Sequence, residues 1–131
     1  MMVMVDTTVW IDFFRGKSRP HVKILENLIE ERNDVCICGI ILTEILQGIR
    51  EDKAYKKTKQ LLGNLIFLPM QHSSFVLSAE IYRKLRQKGI TIRKTMDCMI
   101  AAVVMENDIA LVHNDRDFIP IEKHFGLKIV K

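Results

Sequence analysis

Four acids in this chain, Asp6, Glu44, Asp97 and Asp115, have the types and positions to work together, and Asp117 follows the last of them. All but Glu44 stand at the ends of apolar runs. Asp6 closes "MVMV", Asp97 opens "TMDCMIAAVVMEND", and Asp115 and Asp117 follow "IALVH". Burying apolar residues needs no acids, and burying unpaired carboxylates is costly. Acids placed this way imply that the fold brings the ends of its core segments to one cleft. Two carboxylates about 4 Å apart repel by roughly 4 kcal/mol at an effective dielectric of 20. Three or four converging ones must take up protons or hold a cation. All-oxygen ligands suit Mg²⁺ or Mn²⁺, not zinc. Such an ion lowers the pKa of a bound water and polarises a phosphoryl oxygen.

Each acid alone has a plainer role. Asp97 at a helix start is a cap, or a charge favoured by the positive helix end. Glu44 flanks the Ile41–Ile45–Ile49 stripe of its helix and reads equally well as a half-exposed residue. The constellation is stronger than its members. The basic segments "KAYKKTK" (53–59) and "RKLRQKGITIRK" (83–94) are solvated helix faces residue by residue. Together with an acidic metal cleft they point to a phosphate-rich substrate and to phosphodiester hydrolysis.

The elements that must position these acids follow from hydrophobic periodicity. "MVMVD" reads as a buried strand ending at Asp6, and "TTVWIDFFRG" as a helix capped by Thr7 or Thr8 and ended by Gly16. "SRPHVKILENLIEERND" is amphipathic, with Ser18 as its cap. Strands "VCIC", "LIFLP", "IALVH" and "LKIVK" alternate with helices over "GIILTEILQGIRED", "AYKKTKQLLGN", "SSFVLSAEIYRKLRQKG" and "TMDCMIAAVVMEND". The last of these helices is apolar nearly all round and should be central. This alternation predicts a three-layer α/β/α sandwich with a mainly parallel central sheet. Ligands of such sheets bind outside the carboxyl ends of the strands, where Asp6 and Asp115 fall.

Composition bounds the rest. The chain has 131 residues, 48% of them hydrophobic. That is enough to build a core, and it fits a single domain over residues 1–131. No apolar run is long enough to span a bilayer, and "MMVMV" meets Asp6 too soon for a signal-peptide core. A cytoplasmic protein is expected. Cys36, Cys38 and Cys98 form no disulfide framework and read as buried thiols. The four histidines show no zinc-binding spacing. Lys and Arg exceed Asp and Glu by 20 to 16, a weak pointer to an anionic partner.

Three segments carry a family resemblance: "VDTTVWIDFFRG" (5–16), "LTEILQGIR" (42–50) and "DCMIAAVVMENDIALVHNDRDF" (97–118). In this order, and in a chain of this size, they resemble the PIN-domain family, in particular the VapC-type toxins of bacterial and archaeal toxin–antitoxin pairs. The resemblance implies an endoribonuclease dependent on Mg²⁺ or Mn²⁺. Asp6, Glu44 and Asp97 match its core acids, and Asp115 its more variable fourth acid. Asp117 is an outer acid or a loop-holding cap. The resemblance also implies a homodimer and a cognate antitoxin. Thr8 stands where many relatives have Ser or Asn, and keeps a hydroxyl able to support a metal-bound water. His113 stands where many have Thr, and reads as a structural residue at a strand end. Arg93 and Lys94, close before Asp97, are the foremost RNA-backbone candidates, followed by Arg15, Arg50 and Arg116. Trp10, Phe13 and Phe14 read as core.

Rival readings fit less well. A phosphohydrolase with Asp6 as nucleophile lacks the second acid of its motif, because position 8 is Thr. A receiver-like phosphoacceptor wants paired acids near the first strand, and this chain has one. The non-enzymatic alternative is a catalytically silent PIN-like RNA-binding or scaffold module, which loss of a core acid would favour. No core acid is lost.

Overall fold

The structure, a computed structural model, describes residues 1–131. Its elements in chain order are β1 (Met2–Val5), α1 (Thr7–Phe14), α2 (Pro20–Glu30), β2 (Asp34–Ile37), α3 (Gly39–Gln47), α4 (Asp52–Leu62), β3 (Ile66–Phe67), α5 (His72–Gln87), α6 (Thr95–Glu106), β4 (Ala110–Val112) and α7 (Phe118–Phe125). Four strands form one sheet in the order β3-β2-β1-β4, and every pairing is parallel. Helices flank it, giving the expected α/β/α layering. No helix is long and apolar enough to cross a membrane.

The sheet order explains where a site can form. The chain steps outward from β1 to β2 and β3, then returns to place β4 on the other side of β1. The crevice between β1 and β4 is therefore the topological switch point, the place where parallel sheets leave room for ligands. The Asp6 N–H donates to the Val112 carbonyl at 2.9 Å, tying the two strand ends together there.

Most residues of β1, β2 and β4 are core, whereas both residues of the edge strand β3 are exposed. Val3, Met4, Val5, Cys36, Ile37, Leu111 and Val112 are buried. α6 is the central helix that its sequence predicts: Ile100, Ala101, Ala102, Val103 and Val104 are fully enclosed. The small alanines let neighbouring elements approach closely, and α6 packs against α3, α5, α7 and β4. All three cysteines are free and buried.

Five local readings differ in the structure. The C-terminal "LKIVK" makes only an isolated parallel bridge, Leu111 to Ile129, in place of a fifth strand. β4 is three residues long, so only its middle residue turns backbone groups outward. Leu111 uses both, donating to Lys128 and accepting from Val130. α1 is capped at Asp6, not at Thr7 or Thr8, and α2 starts at Pro20 behind Arg19, not at Ser18. Proline suits a first helical turn because its missing N–H has no partner there. α7 is not marked by the pattern of its own residues, although Asp117 stands at its N-cap as the cap reading allows, and it carries Phe118 and Ile121 into the core. Phe14 is 38% exposed, so the aromatic trio of α1 is only partly core.

Candidate active site

Asp6 is the first residue beyond β1 and the N-cap of α1, yet its carboxylate makes no capping bond to the helix. Asp97 is in the first turn of α6, where Lys94 is the N-cap. Asp115 and Asp117 follow β4 in the loop that leads to α7. A turn binds that loop: the Asp117 N–H donates to Asp115 Oδ1 at 3.0 Å, and the Asp115 N–H donates to His113 Nδ1 at 3.1 Å. The His113 ring packs on Phe118 at 4.9 Å, as a structural strand-end residue would.

These elements converge. Asp97, Asp115 and Asp117 each offer an oxygen within 4.8 Å of the others. Asp6, Asp97 and Asp117 are 3%, 5% and 7% exposed. Asp117 therefore joins Asp97 and Asp115 in the tight group, and Asp6 and Glu44 lie outside that group. The alternation of acids in "DRD" shows nothing of this, because a loop does not fix which way its side chains point. Glu44 approaches from α3. Its Oε1 accepts the Thr7 hydroxyl at 2.8 Å, so Thr7 and not Thr8 is the hydroxyl that orients an acid.

Burial is the largest influence on Asp6 and pushes its carboxyl up to about 6. The charges of Glu44 and Asp115 add to it, against the Thr7 N–H and the Lys94 ammonium. Burial likewise pushes Asp97 up to about 8, with repulsion from Asp6 and Asp115 adding to it. Burial also acts upward on Asp115, but is outweighed. The Lys94 bond, the Asp117 N–H and the Lys94 charge together hold Asp115 below the usual carboxylate range. Asp97 is thus the more proton-retentive of these carboxyls, and Asp115 the one whose charge Lys94 favours. Lys94 Nζ is 2.5 Å from Asp115 Oδ2, and the Lys94 backbone N–H reaches Asp117 Oδ2 at 3.3 Å.

The donor set fits a hard divalent ion. It is made of carboxylates, is largely buried, and holds more negative charge than one lysine offsets. Asp97 Oδ2 is buried and has no hydrogen-bond partner within the protein. Polar atoms enclosed this way are rare without a ligand or ion to satisfy them.

The other basic candidates divide by location. Arg93 and Lys94 lie at the acid cluster, with Arg93 Nε 3.8 Å from Asp117 Oδ1. Arg116 is exposed in the acid-bearing loop. Arg15 instead lines an apolar cleft between α1, α3 and α4, and Arg50 is exposed just beyond α3.

The family model for the PIN domain matches residues 3–123. The chain belongs to the PIN domain family. A VapC ribonuclease of Mycobacterium bovis is 34% identical to this PIN-domain chain over 119 residues, covering 89% of each. Ribonuclease VapC11 of Mycobacterium tuberculosis matches it to the same extent. The same PIN fold is found in VapBC2 from Rickettsia felis, solved bound to a promoter DNA fragment. That structure has a TM-score of 0.78 at 22% identity, covering 99% of this chain and 98% of the other. VapBC-1 from nontypeable Haemophilus influenzae also has a TM-score of 0.78, at 19% identity, covering 100% and 98%.

Proposed function

We propose that this PIN-domain chain is a divalent-metal-dependent endoribonuclease, the toxin of a toxin–antitoxin pair, with Mg²⁺ or Mn²⁺ as its ion. The observation that carries the reading is the enclosed group Asp97, Asp115 and Asp117 beside Asp6, with one buried oxygen unpartnered. The relatives named as VapC ribonucleases supply the substrate class. RNA of the cytoplasm is then the substrate pool.

Asp6, Asp97 and Asp115 would hold the ion, with Asp117 bracing their loop within reach of it and Glu44 completing the set. When bound, the ion lowers the pKa of a coordinated water and neutralises charge on a phosphoryl oxygen. Glu44 is fixed through one oxygen by Thr7, which leaves the other to orient the attacking water. In-line attack on phosphorus leaves a 5′-phosphate and a 3′-hydroxyl. Arg93, Lys94 and Arg116 hold the RNA backbone on the acid side, with Arg15 and Arg50 farther along. Such contacts position a strand without selecting its sequence.

The antitoxin partner is assigned to the apolar cleft of about 390 Å³ between α1, α3 and α4. Phe14 and Leu61 on its walls are 38% and 50% exposed. α3 carries both Glu44 and the cleft residue Ile45, and its C-cap Gly48 and the following Ile49 line the same cleft. Gly48 lies about one turn, or roughly 6 Å along the helix axis, beyond Glu44. A homodimer is the assembly expected of the enzyme.

The test is incubation of purified protein with structured RNA and Mg²⁺ or Mn²⁺, then with chelator, alongside Asp6→Asn and Asp97→Asn. Metal-dependent cleavage lost in both variants is the expected result. Cleavage that persists in chelator or in both variants overturns the metal-nuclease reading. RNA binding without cleavage under either metal replaces it with the silent binding module.

A further inference from the structure

A second cleft, of about 670 Å³, opens beside the acid cluster between α1, the loop before α2, and the loop after β4. Most of its lining residues are polar, with Pro20 and Ile24 the apolar ones. It adjoins the acid site through two residues. Thr8 lies two positions beyond Asp6, and His113 accepts the Asp115 N–H.

Two cations, Lys17 and Arg19, stand on its rim against one carboxylate, Asp12. That carboxylate is already matched. Asp12 Oδ2 is 2.7 Å from His21 Nε2, and Asp12 Oδ1 is 3.7 Å from Lys17 Nζ. Arg19 is exposed and makes no ion pair. The cleft therefore presents positive charge in excess. The Asp12–His21 pair is largely buried, with side chains 16% and 10% exposed. It pins the end of α1 to the start of α2, and so fixes the short loop that carries both cations. The Thr8 hydroxyl in the same wall is buried and has no hydrogen-bond partner. An exposed Arg19 with no ion pair, beside a Lys17 held only at 3.7 Å by a carboxylate that His21 already engages, fits an oxyanion.

We propose that this cleft seats a backbone phosphate of the RNA strand flanking the cut, bound by Lys17 and Arg19, with Asp12 and His21 as the positioning pair that holds their loop. The inference rests on the ribonuclease reading for its substrate, but binding can be measured without turnover. Phosphates of single-stranded RNA release counterions when bound, so log K falls with log salt by about 0.7 per contact.

The experiment measures binding of a fluorescent oligoribonucleotide, in chelator, across a salt series. The proteins are wild type, Lys17→Ala/Arg19→Ala, and Arg32→Asn/Lys128→Ala, which removes equal charge from the opposite edge of the sheet, where β2 and β4 begin. The cleft variant should lose about 0.7 of salt slope and bind roughly tenfold more weakly, and the opposite-edge variant should match wild type. Equal changes in both variants, or none in the cleft variant, overturn the proposal. In cleavage assays the cleft variant should raise KM with kcat unchanged, and a fall in kcat alone also overturns it. His21→Ala should raise KM as the cleft variant does. His21→Gln, which keeps a donor toward Asp12, should restore it. A protein that binds RNA with the wild-type salt slope but never cleaves it refutes the enzymatic reading and leaves the cleft standing.

Discussion

At Asp97 two opposing influences meet. The N-terminal turn of α6 favours an anion, but burial and the charges of Asp6 and Asp115 disfavour it more. The folded protein therefore binds protons at Asp6 and Asp97 more tightly than the unfolded chain does. Both carboxyls lie near 4 when unfolded and near 6 and 8 when folded. Between those values the native state holds more protons, so stability falls as pH rises. Their contribution is fully present below about pH 4 and is lost as pH climbs through 6 and then 8. Thermal melts without divalent ion should show Tm declining from pH 5 to pH 8. Added Mg²⁺ should raise Tm more at pH 8 than at pH 5, because protons compete for the same oxygens. A Mg²⁺ effect that is larger at pH 5 contradicts the assignment of these acids. Asp97→Asn removes the repulsion without changing shape. It should raise the metal-free Tm at pH 8 by about 4 °C for each 1 kcal/mol relieved. Cleavage should fall by roughly 100-fold or more. Thr7→Val leaves Glu44 without its hydroxyl donor, and the loss of such a supporting bond costs about 10- to 100-fold in activity or metal affinity. Steady-state kinetics against Mg²⁺ concentration measure both.

The elements differ in how much of their job the residues announce. β1 and β4 are legible because apolar runs of strand length end in acids, and that ending is the site itself. α6 is legible because "CMIAAVV" can be buried on every side. α7 is not, because "FIPIEKHF" is short and Pro120 interrupts its pattern. The proline falls in the first turn, where a missing N–H does no harm. The last strand fails for a different reason, since its pairing depends on how many groups the three-residue β4 has to spare. The Asp12–His21 pair joins two helices across a loop, and no periodicity marks a contact of that kind. α7 also anchors the acid loop: Phe118 is fully buried and its neighbour His113 holds Asp115. Phe118→Ala should cost about 3–5 kcal/mol in urea melts. Its effect on metal affinity should exceed that of an equally destabilising truncation far from the loop, such as Leu25→Ala.

On the scale of the whole molecule, two clefts of opposite character flank one acid site. The polar one carries cations in excess and suits a strand of phosphates, while the apolar one suits a helix of another chain. α3 and its C-cap touch both, with Glu44 hydrogen-bonded to Thr7 and Ile45 and Gly48 on the apolar cleft. An antitoxin seated in the apolar cleft would cover Arg15 and leave Lys17 and Arg19 of the polar cleft open to RNA. The two functions should separate by mutation. Leu61 is half-exposed on the cleft wall, so Leu61→Glu should change stability by no more than about 0.5 kcal/mol. A carboxylate there must be desolvated when an apolar helix lands on it. A loss of about 1.4 kcal/mol weakens association tenfold, and a buried anchor position loses more. Co-expressed with its antitoxin and passed over a sizing column, the wild type should elute as a complex, and Leu61→Glu should separate from it. Cleavage of free RNA should be unchanged. If Leu61→Glu keeps the complex, the antitoxin lies elsewhere. If it loses both the complex and cleavage, the apolar cleft and the acid site are not separable.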